Sequence, residues 1–441
     1  MSYRYSLFFS LVAAISGLLF GYHTSIISGA LLFLSRDFVL TTFEEELVVS
    51  TILIGAVLGA FLGGLLADMI GRKKTLFVTI FLYCLGTLML SDAMGFDTLL
   101  MGRFVTGLGL GIGSMAAPLY IAEVSPAKVR GALVSLNQLM ITLGILLAYF
   151  IQFYYSEQKE WRQMFAFGLI PLSLQFLGLF FISETPSWLM KRHRPEAADK
   201  IYKKLGITPE HLEVEKTDWK DLFKPDVRKI FWIGMGISVF QQITGINTII
   251  YYAPKIFQLS GDHTAQSAIL ATLYIGIVNV IFTIIALWLI DRLGRRLLLI
   301  LGLIGMVVSL GFLGYSLMVG TLGNAALGAV MCYVAFFAIS LGPVTWLLIS
   351  EIYPLRIRGM AMGVASFLNW LCNYVVSLTF LSLLQTLGTS NTFWLYAAIC
   401  LIALWFIWKM IPETKGKTLE QIQKFWQKGY YPASQIDDKK R

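Results

Sequence analysis

Residues 68–73 read DMIGRK and residues 291–296 read DRLGRR: an acid, a glycine three positions on and two cations, repeated at an offset of 223. Working outward, Glu123 followed by Arg130-Gly131 matches Glu351 followed by Arg358-Gly359 at an offset of 228. Glu184-Thr185 matches Glu413-Thr414 at 229. Three coincidences in the same order imply two homologous halves.

Between these polar signatures the chain is apolar. Runs near 7–34, 47–69, 75–92, 98–122, 131–153 and 163–182 precede a polar segment, and runs near 230–257, 267–290, 297–319, 324–350, 360–386 and 391–411 follow it. A spanning helix needs roughly 20 mostly apolar residues. The reading is an all-α membrane protein with twelve transmembrane helices in two six-helix halves. It divides into an N-terminal bundle over 1–183, a cytoplasmic linker with short helices over 184–229, a C-terminal bundle over 230–411 and a cytoplasmic tail over 412–441. Equivalent loops fall on the same face, so the repeats are parallel and related by an axis along the membrane normal, as in transporters that rock two bundles around a central site.

Composition agrees. The chain is 57% hydrophobic and only 14% charged, with a mean hydropathy of +0.71, whereas charge in soluble proteins reaches about a quarter of residues. The net charge of +9 is not read as nucleic-acid binding, because basic residues in a polytopic protein record which loops stay in the cytoplasm. Alternating the connections puts all Lys and Arg inside except Arg36, Arg103, Lys159, Arg162 and Lys255, so both termini are expected in the cytoplasm. The first apolar run is longer than a signal-peptide core and lacks a small-residue cleavage site, so it is expected to remain as the first helix. Short outer loops, with no N-x-[ST] site in the first, fit a bacterial inner membrane.

The residues now resemble a family. Over about 15–425 the chain is similar to the sugar porters of the major facilitator superfamily, which include facilitative glucose carriers and bacterial proton-linked xylose and hexose symporters. The matching stretches are GLLFGY at 17–22, DMIGRKK at 68–74, GRFVTGLGLG at 102–111, PLYIAEVSPAKVRG at 118–131, SETPSWL at 183–189, QQITGINTIIYYAP at 241–254, DRLGRR at 291–296, GPVTWLLISEIYPLRIRG at 342–359 and PETKGKTLE at 412–420. The resemblance implies the major facilitator fold, alternating access, transport of a hexose or pentose, and a chain that works as a monomer.

Two polar constellations follow. Asp68, Arg72, Glu123, Arg130 and Glu184 in one half, and Asp291, Arg295, Glu351, Arg358 and Glu413 in the other, set acids beside cations at helix ends, where charge-assisted hydrogen bonds hold well. The resemblance implies a conformational latch on the inner face. Polar residues inside helices are costly in hydrocarbon and mark cavities or partner helices. Amides offer donors and acceptors to neutral hydroxyls, and aromatic rings stack on sugar faces. By resemblance the substrate site is Gln138, Gln241, Gln242, Asn247, Trp346, Asn369 and Trp370, with Phe20, Tyr251 and Asn373 as second choices. At about 100° per residue, Gln242 and Asn247 lie about 140° apart on a straight helix. Gly245 between them permits a break, and Pro254 beyond Tyr251 and Tyr252 permits a kink that gates.

The chain departs from the family at one position. Proton-linked sugar porters carry Asp directly after the Gly-Tyr matching Gly21-Tyr22, beside an Arg that matches Arg103; here the residue is His23. A histidine next to that cation should favour its neutral form, so passive or weakly coupled transport is expected. Titration of His23, with protons as a second partner, is the other reading.

Other classes fit less well. Glycines at 55, 59 and 63, and at 107, 109, 111 and 113, suit close helix packing. No G-x-G-x-x-G stands in a strand-to-helix setting, and Gly416-Lys417-Thr418 lacks the upstream glycine of a phosphate loop. His23, His193, His211 and His263 are scattered, so neither an enzyme nor a metal site is expected, and no cofactor. A polyol transporter and a transporter-like sugar sensor are the alternatives, though a short tail weighs against the sensor.

Overall fold

In a computed structural model, residues 2–126, 129–207, 219–259, 264–320 and 324–415 are described. The helices run in chain order as α1 Ser2–Ser25, α2 Ile27–Asp37, α3 Thr42–Ile70, α4 Arg72–Ser91, α5 Phe96–Val124, α6 Arg130–Tyr155, α7 Trp161–Ala166, α8 Leu169–Phe181, α9 Pro186–Lys191 and α10 Pro195–Leu205. After a 3₁₀ turn at Trp219–Phe223 come α11 Pro225–Ile243, α12 Ile246–Leu259, α13 Ala265–Leu293, α14 Arg295–Val319, α15 Asn324–Ile339, α16 Leu341–Ile352, α17 Leu355–Leu387 and α18 Thr389–Met410. Residues 208–218 of the expected linker and 416–441 of the expected tail lie outside the described residues.

These helices make 12 stretches long and apolar enough to cross a bilayer, from Arg4–Asp37 to Thr389–Met410. Large apolar side chains on them, such as Phe61, Phe81, Phe181 and Val308, are well over half exposed, as bilayer-facing residues are and water-facing ones are not. Four spans are broken into two pieces: α1/α2 at Ile26, α7/α8 near Phe167, α11/α12 at Gly245 and α15/α16 at Ser340. Broken backbone at membrane depth survives only where other groups satisfy it.

Two compact units emerge. The first holds 1–212 with 250–276 and 377–381; the second holds 213–249, 277–376 and 382–441. In the first, α3 starts on a capping box: Glu44 N donates to Thr41 Oγ1 at 3.3 Å, and Thr41 N donates to Glu44 Oε2 at 2.8 Å, which satisfies two orphan donors. Helices α3 and α5 then approach along paired glycines. A Cβ on Gly55 would stand 2.9 Å from Gly107 Cα, and one on Gly59 would stand 3.1 Å from Gly111 Cα, so only glycine permits this approach.

The repeat seen in the sequence recurs in space. In the first unit Glu184 Oε1 accepts from the backbone N of Arg72 at 2.9 Å, and Glu184 Oε2 accepts from that of Lys73 at 3.1 Å. In the second, Glu413 Oε1 and Oε2 accept from Arg295 N and Arg296 N at 3.0 and 3.1 Å. Each carboxylate caps the helix after its glycine, and the two glycines, Gly71 and Gly294, have φ of 99° and 91°. Anions at a helix N-terminus meet both orphan N–H groups and the positive end of the dipole.

Candidate substrate site and helix-end charge clusters

The second unit gathers four of the expected amides. At Gly245, φ +94°, α11 stops and α12 restarts, and the turn brings Asn247 Nδ2 within 2.5 Å of Gln242 Oε1. Gln242 Nε2 donates to Asn369 Oδ1 at 2.9 Å, and Asn369 Nδ2 donates to Gln241 Oε1 at 2.8 Å and to Ser238 O at 2.9 Å. Gln241 Nε2 closes the chain on Leu341 O at 3.0 Å and Gly342 O at 3.3 Å, in the first turn of α16 after the break at Ser340. The broken backbone is held by Tyr333 OH, which donates to Thr244 O at 2.9 Å, and by Thr248 Oγ1, which donates to Gly245 O at 2.7 Å.

Counting donors and acceptors separates front from back. Asn369 spends both N–H groups and Gln241 is bonded at both ends, so these two are scaffold. Gln242 keeps one N–H, and Asn247, half-buried, keeps one N–H and its Oδ1. Those are the groups left to meet a neutral hydroxyl. Trp370 is buried beside Asn369, Asn373 is buried one turn further along α17, and Trp346 is half-buried on α16.

The remaining expected site residues lie in the first unit. Gln138 on α6 and Phe20 on α1 are half-buried, and Gln138 has no hydrogen-bond partner among the described residues. Tyr251 is buried on α12. Next to it, Tyr149 OH donates to Ile250 O at 2.9 Å and Tyr252 OH to Ser377 O at 2.7 Å, while Lys255 Nζ is paired with Glu45 Oε2. That ion pair between α12 and α3 is absent from the sequence reading, although two opposite charges at the ends of apolar runs were a usable signal.

Arg103, buried on α5, spends its guanidinium on carbonyls. Nε donates to Val48 O at 2.9 Å, Nη1 to His23 O at 3.0 Å and Nη2 to Val49 O at 3.1 Å. The cation thus meets the backbone of His23 and not its ring. That ring, 1% exposed, stacks on Tyr83 at 4.8 Å with 13° between planes and stands edge-on to Tyr22 at 5.6 Å. Among the described residues, neither ring nitrogen has a hydrogen-bond partner.

Charges at helix ends pair within each unit. Arg72 reaches Glu123 Oε1 through Nη2 at 2.9 Å and Nε at 3.2 Å, and Asp68 Oδ1 through Nη1 at 3.0 Å. Arg295 Nη2 reaches Glu351 Oε1 at 2.9 Å, Thr414 Oγ1 donates to Glu351 Oε2 at 2.6 Å, and Arg358 donates to Tyr353 O at 3.1 Å. Arg130 opens α6; the side chain of Asp291 lies outside the described residues. Burial pushes the Glu184 carboxyl above the usual carboxylate range, opposed by the backbone N–H groups of Thr185, Lys73 and Arg72 and by the Arg72 charge.

The chain as a whole is similar to known transporters. The profile of the family described as "Sugar (and other) transporter" matches residues 9–426. The galactose-proton symporter of Escherichia coli (strain K12) is 37% identical over 439 residues, covering 96% of this chain and 94% of that protein. The D-xylose transporter of Levilactobacillus brevis is 38% identical over 427 residues, covering 93% of each. The inward open structure of the xylose transporter XylE from E. coli superposes with a TM-score of 0.80 at 32% identity, covering 95% of this chain and 99% of that one. These relatives are membrane transporters and not enzymes.

Proposed function

The chain belongs to the sugar (and other) transporter family, with its twelve-helix major facilitator fold, and from that premise we propose that it moves a monosaccharide across the cell membrane by alternating access. The carrying observation is the amide chain Asn247–Gln242–Asn369–Gln241, which presents unspent donors and an acceptor at Asn247 and Gln242 over a fixed backing. Trp346, Trp370 and Asn373 complete the site within the second unit on this reading, and Gln138, Phe20 and Tyr251 of the first unit are sugar-contacting candidates by resemblance. Neutral hydroxyls need this mixture of donors and acceptors and no formal charge.

Transport is passive on this reading. With His23 stacked on Tyr83 and, among the described residues, no carboxylate bonded to Arg103, the buried cation has no acid beside it for a proton to neutralise. Both termini lie in the cytoplasm, the division at 184–229 separates the halves, and the charge clusters around Glu184 and Glu413 hold the inner helix ends in register until substrate release. The basic loops support that orientation.

Counterflow with labelled solutes tests the substrate class. Proteoliposomes preloaded with a pentose or hexose should exchange labelled xylose, galactose or glucose. Exchange of labelled inositol alone would move the assignment to a polyol, and no exchange would refute transport of either.

A further inference from the structure

We propose that the groove between the first turns of α11 and the last turns of α18 binds an anionic phospholipid, phosphate against Arg228 and Lys229 and acyl chain along the apolar wall beyond them. The groove has a volume of about 520 Å³ and is lined by Arg228, Lys229, Trp232, Ile233, Phe406 and Met410, with Pro225 at its mouth. Its lining holds two cations and, among the described residues, no carboxylate.

Position and chemistry agree. The membrane-crossing stretch of α11 begins at Val227 and that of α18 ends at Met410, so the two cations stand where lipid headgroups lie. Trp232, 58% exposed, is the residue type favoured at that depth. The wall is built rather than adventitious: the Phe406 ring lies 5.3 Å from that of Phe240 and closes over Gly236, where a Cβ would come within 2.6 Å of Phe406 Cζ.

Two other cations at helix ends are committed elsewhere. Arg292 lies 3.8 Å over Trp288, and Lys409 lies 5.0 Å over Trp405. Arg228 has no ion-pair or ring partner among the described residues. A guanidinium and an ammonium together make charge-assisted bonds to a phosphate diester, and basic pockets between spanning helices at the cytoplasmic face recognise anionic headgroups. A free phosphate would use the cations but leave the wall of Trp232, Phe406 and Met410 uncovered. The proposal rests on the cytoplasmic orientation argued above only for the leaflet involved.

The test is native mass spectrometry of the full chain released from vesicles of phosphatidylglycerol and phosphatidylcholine with matched acyl chains. Wild type should retain phosphatidylglycerol in preference, and Arg228→Gln with Lys229→Gln should lower that retention about tenfold or more, given the attraction each cation exerts on anionic headgroups. Arg292→Gln, outside the groove, should retain it as wild type does. Arg228→Lys with Lys229→Arg keeps both charges and should keep the lipid, which separates loss of charge from loss of fold. Equal retention of the two lipids by wild type, unchanged retention in the double Gln variant, or an equal loss in Arg292→Gln would overturn the proposal. So would displacement of the lipid by millimolar inorganic phosphate. The readout is independent of sugar uptake, so its failure and that of the transport reading are distinguishable.

Discussion

Arg103 donates to the backbone carbonyl of His23 at 3.0 Å while the His23 ring stacks on Tyr83. The residue that differs from the proton-linked pattern therefore bonds to the cation only through an atom every amino acid has. Replacing the ring with His23→Asn should leave sugar uptake within about threefold of wild type, since no hydrogen bond of the ring is lost. Initial rates at pH 6 and pH 8 should change in parallel for the two proteins. A loss of pH dependence in the variant alone would show that the ring titrates.

Arg103 itself is structural on this account. Three of its five N–H groups each serve a buried carbonyl, and a charged donor contributes about 1.5–3 kcal/mol per bond. Arg103→Gln should destabilise the protein by about 3 kcal/mol or more, read as a lowered thermal midpoint in detergent.

Front and back of the amide chain should separate in kinetics. Asn247→Ala removes a group with spare donor and acceptor capacity and should raise KM about fivefold to tenfold, the cost of about one hydrogen bond, with the thermal midpoint little changed. Asn369→Ala removes the hub that joins Gln242, Gln241 and Ser238 O. It should lower both the midpoint and the transport rate.

The break in this span is legible from sequence, because the 140° separation of Gln242 and Asn247 can be closed only by a turn, and the glycine that makes it lies between them. The glycine ladder of α3 and α5 and the paired charge clusters are legible for the same reason: each depends on spacing along the chain. The break at Ser340 carries no such mark, and neither does Tyr333 under Thr244 nor Tyr83 under His23. Those depend on which helices are neighbours, and residue spacing within one helix is silent about that.

Gly245→Ala tests the turn directly. An L-residue at φ +94° costs about 1–2 kcal/mol in backbone strain, and the added Cβ would lie 2.8 Å from Tyr396 Cδ1. The variant should unfold at lower temperature and transport more slowly.

Glu184 gives a pH signature with a defined sign. Burial, its largest influence, raises its pKa in the folded chain, so the folded state holds the proton more tightly than the unfolded one. Its contribution to stability therefore rises as pH falls through the raised pKa and is smallest above it. The difference in thermal midpoint, wild type minus Glu184→Gln, should grow between pH 7 and pH 4.5; a shrinking difference would mean that the backbone N–H groups and Arg72 outweigh burial.

The most direct test of the central claim is uptake of labelled xylose, galactose and glucose into proteoliposomes, with and without an inward proton gradient. The account predicts saturable uptake of at least one of them to equilibrium and no further, at a rate the gradient leaves unchanged. Uptake of none of them above protein-free vesicles would contradict monosaccharide transport, and accumulation above equilibrium under the gradient would contradict passive transport.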